Sequence, residues 1–198
     1  MAGPHENLEH AEHAEHASLG GNKKIALLIS VLALFLAFSE TLGKSAQTTT
    51  ITQNVASNDL WAFFQAKTIR ITVLNTAREQ LQLEAERATD PETKARLTKT
   101  IDAWKKTAAR YEDEPETREG RKQLAERAKE AEHKRELALS RYHQYEIASA
   151  AFQIGIVLAS AEVITTMAAL GWLSGLLGVV GLVFTAFGLW APHAVHLF

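Results

Sequence analysis

The distribution of charge along the chain constrains its fold most. Ile25 to Ser39 contains no charged residue, and Ile147 to Phe198 contains one, Glu162. Between these apolar stretches, residues 45–146 are rich in Glu, Lys and Arg. A soluble domain places charged residues on every element, because each element has a solvent-facing side. The pattern therefore predicts an all-α membrane protein with a long charged helical insert.

Three segments have the length and composition of membrane spans. A hydrocarbon core about 30 Å thick needs roughly 20 helical residues. Residues 25–44 form the first predicted transmembrane helix, and residues 147–191 form a transmembrane helical hairpin whose two helices meet near Gly171. Trp172 and Trp190 are separated by about 27 Å of helix. That separation suits the two interfacial belts in which tryptophan is enriched.

The segment between the spans, residues 45–146, is predicted to be a coiled-coil stalk. Apolar residues recur there at spacings of three and four in three runs, which start at Leu60, Leu97 and Leu124. Asp90-Pro91 and Asp113-Glu114-Pro115 predict the breaks between the helices. An acidic His/Glu tail, residues 1–24, and a short C-terminal tail, residues 192–198, complete the predicted organisation.

Each predicted span also has a stripe of small residues. In the last span the stripe consists of Ser174, Gly178, Gly181, Thr185 and Gly188. Small residues at this spacing let helix backbones approach closely where water cannot drive association. The stripes predict a packed helix bundle, and the packing is either within one chain or between chains.

Glu162 is an ionisable residue inside a predicted span, which costs roughly 2.5 kcal/mol or more. Counted along the helices, Glu162 and Ala33 lie at a similar depth, each about 12 Å from the same membrane face. Ser30 and Thr166 are then candidate hydrogen-bond partners of Glu162. Glu40 lies near the opposite face. Three interpretations are open for Glu162: a protonated hydrogen-bond donor that stabilises the bundle, a group on a proton or cation pathway, or a residue whose depth is misassigned.

Aromatic and polar residues cluster near the start of the stalk: Trp61, Phe64, Gln65, Lys67 and Arg70. One interpretation is a docking patch at the membrane surface or against the third stalk helix. The other is core packing where the stalk leaves the bilayer.

The N-terminal tail repeats a His-Ala-Glu triplet that places His10, His13 and His16 three residues apart. Such histidines can ligate a divalent metal from one helix face. The alternative is a flexible acidic tail that titrates near pH 6. No other cofactor is expected, and the absence of cysteine excludes disulfides, thiol catalysis and cysteine-ligated metal sites.

Two regions resemble a known family. They are the segment from Trp61 to Arg70, and the segments Tyr145–Ala148 and Gln153–Ser160. They are similar to a family of bacterial membrane proteins known as domain of unknown function 4337. The resemblance implies a three-span plan with an inserted helical region, and it implies no activity or catalytic residues. The family's usual tyrosine before Gln-Ala-Lys is Phe64 here.

These patterns predict an integral inner-membrane protein that forms homo-oligomers and presents its stalk to an unidentified protein partner, as a scaffold. The alternative is a small oligomeric channel or proton-coupled transporter that uses Glu162, and a third hypothesis is a metal-responsive protein. No catalytic motif is present, so an enzyme is not expected. The formal net charge of −2 argues against nucleic-acid binding.

Membrane orientation is predicted from basic residues that flank the spans. Lys23 and Lys24 precede the first span, which favours a cytoplasmic N-terminus and a periplasmic stalk. Lys134 and Arg135, on the stalk side of the second span, favour the reverse. The insert exceeds the roughly 60-residue limit of the rule, so they are discounted.

Overall fold

The computed structural model describes residues 23–192, so the histidine tail, His193 and His196 lie outside it. The described residues form four α-helices and no β-strand: α1 (Lys23–Arg87), α2 (Pro91–Glu112), α3 (Arg121–Thr165) and α4 (Ala168–Trp190). Among these helices, α1, α3 and α4 are long and apolar enough to cross a membrane. The predicted all-α class with three potential spans is confirmed, and it indicates membrane association.

The helices of the charged segment begin and end close to the proline motifs. Asp90 caps α2, because its side chain accepts a hydrogen bond from the Thr93 backbone N–H at 2.9 Å. Pro91 then occupies the first turn, where a missing N–H costs nothing. After α2 ends at Glu112, the chain makes a turn, and α3 begins at Arg121 rather than at Pro115.

The boundary between the last two helices differs from the sequence prediction. The sequence predicted that the two helices meet near Gly171. This prediction was wrong, because α3 ends at Thr165 and α4 begins at Ala168. Thr166 is left-handed, with φ at 58°, and its backbone N–H donates to the Glu162 carbonyl at 2.8 Å. A left-handed residue is a common end to an α-helix. The sequence is apolar on both sides of this break, so hydropathy did not mark it.

The chain divides into two compact units. The first, here the span unit, contains described residues 23–51 and 135–192. Its core contains the fully buried side chains of Ile29, Leu36 and Phe152. The outward side chains of all three helices are also large and apolar: Leu27, Leu34, Phe38, Ile154, Val157, Leu176 and Val179. An apolar exterior around a packed core is the arrangement of a bundle that faces lipid.

Contacts inside the span unit establish the direction of its helices. The start of α1 at Lys24 lies beside Glu162, near the end of α3. Farther along α1, Ser39 Oγ donates to the Tyr145 carbonyl of α3 at 3.1 Å. The Tyr145 ring in turn lies against Gly188, near the end of α4. The α1 and α4 helices are therefore parallel, and α3 is antiparallel to both.

The second unit, here the charged unit, contains residues 52–134. It comprises the rest of α1, all of α2 and the start of α3. The predicted apolar runs lie on its buried or half-buried faces, with Ala85, Ala108, Leu124 and Ala128 buried. Coiled-coil packing of these helices stays a prediction.

Candidate functional site

The small-residue stripe of α4 lies on the buried side of that helix. All five of its residues are the buried residues of α4: Ser174, Gly178, Gly181, Thr185 and Gly188. A Cβ atom added at Gly181 would lie 2.6 Å from the Phe152 ring, and one at Gly188 would lie 2.5 Å from the Tyr145 ring. The glycines therefore let α3 aromatic rings lie directly on the α4 backbone. The structure uses this stripe for packing within one chain.

Polar side chains of the span unit bond between its helices. Ser174 Oγ donates to the Gly155 carbonyl at 2.7 Å, and this bond joins α4 to α3. Gln153 Nε2 donates to Glu40 Oε1 at 3.3 Å, so the carboxylate of α1 has an α3 partner. Hydrogen bonds of this kind hold helices together where lipid replaces water.

Glu162 lines an open groove with a volume of about 560 Å³. The groove runs between the start of α1 and the start of α4. Its wall is mostly apolar, and Lys24 and Glu162 are its charged lining residues. A Cβ atom at Gly171 would overlap the Glu162 carboxylate. Because Gly171 has no side chain, the Glu162 carboxylate lies directly against the α4 backbone.

The two hydroxyl groups predicted as hydrogen-bond partners of the Glu162 carboxylate donate to backbone carbonyls instead. Ser30 Oγ donates to the Ala26 carbonyl of its own helix at 2.9 Å. Thr166 lies in the α3–α4 connection, where its hydroxyl donates to the Thr165 carbonyl at 2.7 Å. Glu162 also lies at a different level of α1 than predicted. Glu162 shares its groove with residues 24–28 rather than with Ala33.

Two aromatic residues of the predicted docking patch are engaged inside the charged unit. Trp61 Nε1 donates to Glu132 Oε1 at 2.8 Å, which joins α1 to α3. The Phe64 ring lies edge-on to Trp61, with centroids 5.3 Å apart, and under the Arg121 guanidinium at 5.5 Å. Gln65 and Arg70 are exposed.

Lys67 is buried in the charged unit, with 5% of its surface exposed. Its Nζ atom lies 5.3 Å from the Phe63 ring centroid and 4.9 Å from that of Tyr111. The nearest carboxylate oxygen belongs to Glu114, at 3.8 Å. Two aromatic faces and one carboxylate thus surround the ammonium, an arrangement that favours a buried cation. The sequence placed Lys67 in the cluster interpreted as a docking patch or as core packing, without indicating these partners.

The connection between α2 and α3 is held by hydrogen bonds to Asp113. Gln123 Nε2 donates to its carboxylate at 2.6 Å, and Lys122 Nζ donates at 3.0 Å. These bonds favour the ionised form, so they lower the pKa of Asp113 from its ordinary value.

A second, exposed face of α1 was missed in the sequence. Five residues recur there at intervals of seven: Val55, Ala62, Ile69, Thr76 and Leu83. Ile69 and Val73, four residues apart on this face, are 63% and 61% exposed. This face, here the exposed seam, lies opposite the packed face of α1. Assigning one apolar run to each helix concealed it, although the seven-residue spacing was readable.

The residues described by the structure contain no group of three His, Cys, Asp or Glu side chains that could hold a metal ion. The histidine tail lies outside them, so metal binding by His10, His13 and His16 stays a prediction.

The model of the family described as Domain of unknown function (DUF4337) matches residues 21–191. The chain therefore belongs to this family, and the resemblance seen in its sequence is confirmed. No curated protein and no solved structure matches the chain.

Proposed function

We propose that this DUF4337 protein is an integral membrane scaffold that assembles with copies of itself through the exposed seam of α1. The observation that carries the proposal is the seam. Ile69, Val73 and Leu83 are large apolar side chains turned away from the packed face, on the charged unit rather than on the span unit. An apolar strip on an otherwise charged surface indicates an interaction site.

A second copy of the chain is the proposed occupant of the seam. Copies that insert into one membrane in the same way present the seam in the same direction. Residues that recur every seventh position then meet their own counterparts in a parallel coiled coil. Rotational symmetry of this kind is the usual arrangement of homo-oligomers. The small-residue stripe of α4 is already occupied by α3, so the seam is the better candidate for association.

The proposed orientation in the membrane follows from the basic residues before α1. The N-terminus is placed in the cytoplasm, and the charged unit is placed in the periplasm, where it presents its outer face to a protein partner. This orientation is supported by Lys23 and Lys24 before α1 and by the length of the insert. Fusions at Asp113 test it. Active alkaline phosphatase is expected there, whereas fluorescent green fluorescent protein without phosphatase activity would reverse the orientation.

Cysteine scanning tests the assembly directly, because the chain contains no native cysteine. Ile69→Cys in membranes is expected to form a disulfide-linked dimer on mild oxidation. Lys99→Cys, an exposed position on α2, is the control and should form no disulfide-linked dimer. Equal cross-linking at the two positions would contradict assembly through the seam.

A charge variant gives an independent test. Ile69→Glu combined with Val73→Glu should lower the oligomeric mass in nanodiscs and leave helicity unchanged, because both side chains lie outside the packed core. A monomeric mass for the unmodified protein would refute the scaffold proposal itself.

A further inference from the structure

We propose that the groove lined by Lys24 and Glu162 binds one zwitterionic aminophospholipid of the surrounding bilayer. In this proposal Lys24 contacts the lipid phosphate, and Glu162 accepts hydrogen bonds from the primary ammonium. An acyl chain lies along the apolar wall. This site is separate from the exposed seam of the charged unit and does not depend on oligomer formation.

The groove combines apolar and charged residues. Ile25, Leu28, Leu176 and Val179 form its apolar wall, and the two charged residues Lys24 and Glu162 join them. A fully apolar groove would accept any hydrocarbon chain. One cation and one anion beside an apolar wall instead match a molecule that has an anion, a cation and a hydrocarbon tail.

The Glu162 carboxylate lies against the backbone of α4 at Gly171. Gly171 leaves the space that the Glu162 carboxylate occupies, and any larger residue would displace it. Among the described residues, no ion pair within 4.0 Å joins Lys24 to Glu162. The two charges therefore present themselves to the groove separately, as a zwitterion requires.

The start of α4 also lines the groove, through Ala168. Its N-cap residue, Met167, makes no side-chain capping bond. The first backbone N–H groups of a helix attract anions, and phosphate is a common ligand there. Together with Lys24, the first N–H groups of α4 favour binding of the lipid phosphate at this end of the groove.

The lining of the groove indicates its level relative to a bilayer. Trp172 lies at its edge and is 83% exposed. Exposed tryptophan marks the headgroup region of membrane proteins, and lysine side chains extend toward the same region. A groove at this level meets phosphate and ammonium groups first.

The chemistry of Glu162 selects among lipids. A primary ammonium donates hydrogen bonds to a carboxylate, and charge-assisted bonds of this type are strong. The quaternary ammonium of phosphatidylcholine has no N–H group to donate. Phosphatidylglycerol offers no cation, so its headgroup is net negative and the Glu162 carboxylate repels it. The expected order of binding is phosphatidylethanolamine, then phosphatidylcholine, then phosphatidylglycerol.

Native mass spectrometry of the full chain, titrated with each of these three lipids, tests the proposal. The unmodified protein should retain phosphatidylethanolamine about tenfold better than phosphatidylcholine. Glu162→Gln should remove this preference, and Lys24→Ala should weaken retention of both lipids. Glu40→Gln, which alters a carboxylate at the other end of the span unit, is the matched control and should leave the preference intact.

Three results would overturn the proposal: no preference in the unmodified protein, an unchanged preference in Glu162→Gln, or tighter binding of phosphatidylglycerol. Should Glu162→Gln not fold, Leu176→Trp provides the same test, because it fills the groove from an exposed position. Retention of phosphatidylethanolamine by that variant at the unmodified level would equally refute the site.

Discussion

Replacement of Gly181 by alanine tests whether the α4 stripe holds the span unit together. The new methyl group would lie 2.6 Å from the Phe152 ring, which is fully buried. Overpacking of this kind costs about 1–3 kcal/mol. The gain in helix propensity from glycine to alanine offsets up to about 1 kcal/mol of it. We expect a net loss of stability with an unchanged oligomeric mass.

Gly175→Ala is the matched control. It lies on the same helix, and a Cβ atom there would meet nothing within 4 Å. Both variants gain the same helix propensity, so the difference between them isolates the steric contact. We expect Gly181→Ala to be about 1–3 kcal/mol less stable than Gly175→Ala.

The assay is reversible unfolding in mixed micelles with increasing sodium dodecyl sulfate, followed by circular dichroism. Gly178→Ala should fall between the two variants, because its methyl group would meet a terminal methyl of Leu32, which can rotate away. Equal midpoints for Gly181→Ala and Gly175→Ala would show that α3 does not pack on α4 through this stripe.

Three further results are expected. In the charged unit, Lys67→Met should cost less stability than Glu114→Ala, because the Glu114 carboxylate keeps a second cationic partner, Arg110, at 3.6 Å. Glu114→Ala, which leaves the buried ammonium without its carboxylate, should lower the denaturant midpoint. The pKa of Asp113 is lowered by hydrogen bonds from Gln123 and Lys122. The ionised Asp113 therefore stabilises the folded state fully above its unfolded pKa, about 3.9. This stabilisation is lost as the pH falls through the lower folded pKa. Asp113→Asn should therefore reduce the loss of stability that urea titrations show below about pH 4. The same loss of stability at low pH in the variant and the unmodified protein would refute this. Finally, a scaffold should show the same proton flux in liposomes with or without Glu162→Gln, whereas a flux that this variant abolishes would favour the transporter alternative.

The sequence predicted the features of the fold that repeat along the chain. Charge-free runs indicated the three potential spans, and Asp90-Pro91 indicated the start of α2 because the cap and the proline act locally. The spacing of Gly178 and Gly181 picked out the side of α4 that the structure buries. These signals survive because helical periodicity places residues on a face whatever the neighbouring helix is.

Features that depend on contacts between distant residues were not predictable. Lys67 was predicted only as a member of the cluster near the start of the stalk, because its partners Tyr111 and Glu114 are far away in sequence. The exposed seam was overlooked for a related reason. Only the structure identifies which apolar face of α1 is packed and which, at Ile69 and Val73, is exposed.

The interpretation of Glu162 depended on one local feature, the left-handed Thr166. With α3 extended to Leu170, the carboxylate would lie deep among apolar side chains, where it would need a proton or a pathway. Because α3 ends at Thr165, Glu162 is less than one turn from the helix end and shares a groove with Lys24. A carboxylate near a helix end that shares a groove with a lysine and an exposed tryptophan matches the headgroup contacts proposed above. This position makes recognition of a headgroup a better explanation of Glu162 than transfer of protons through the bundle.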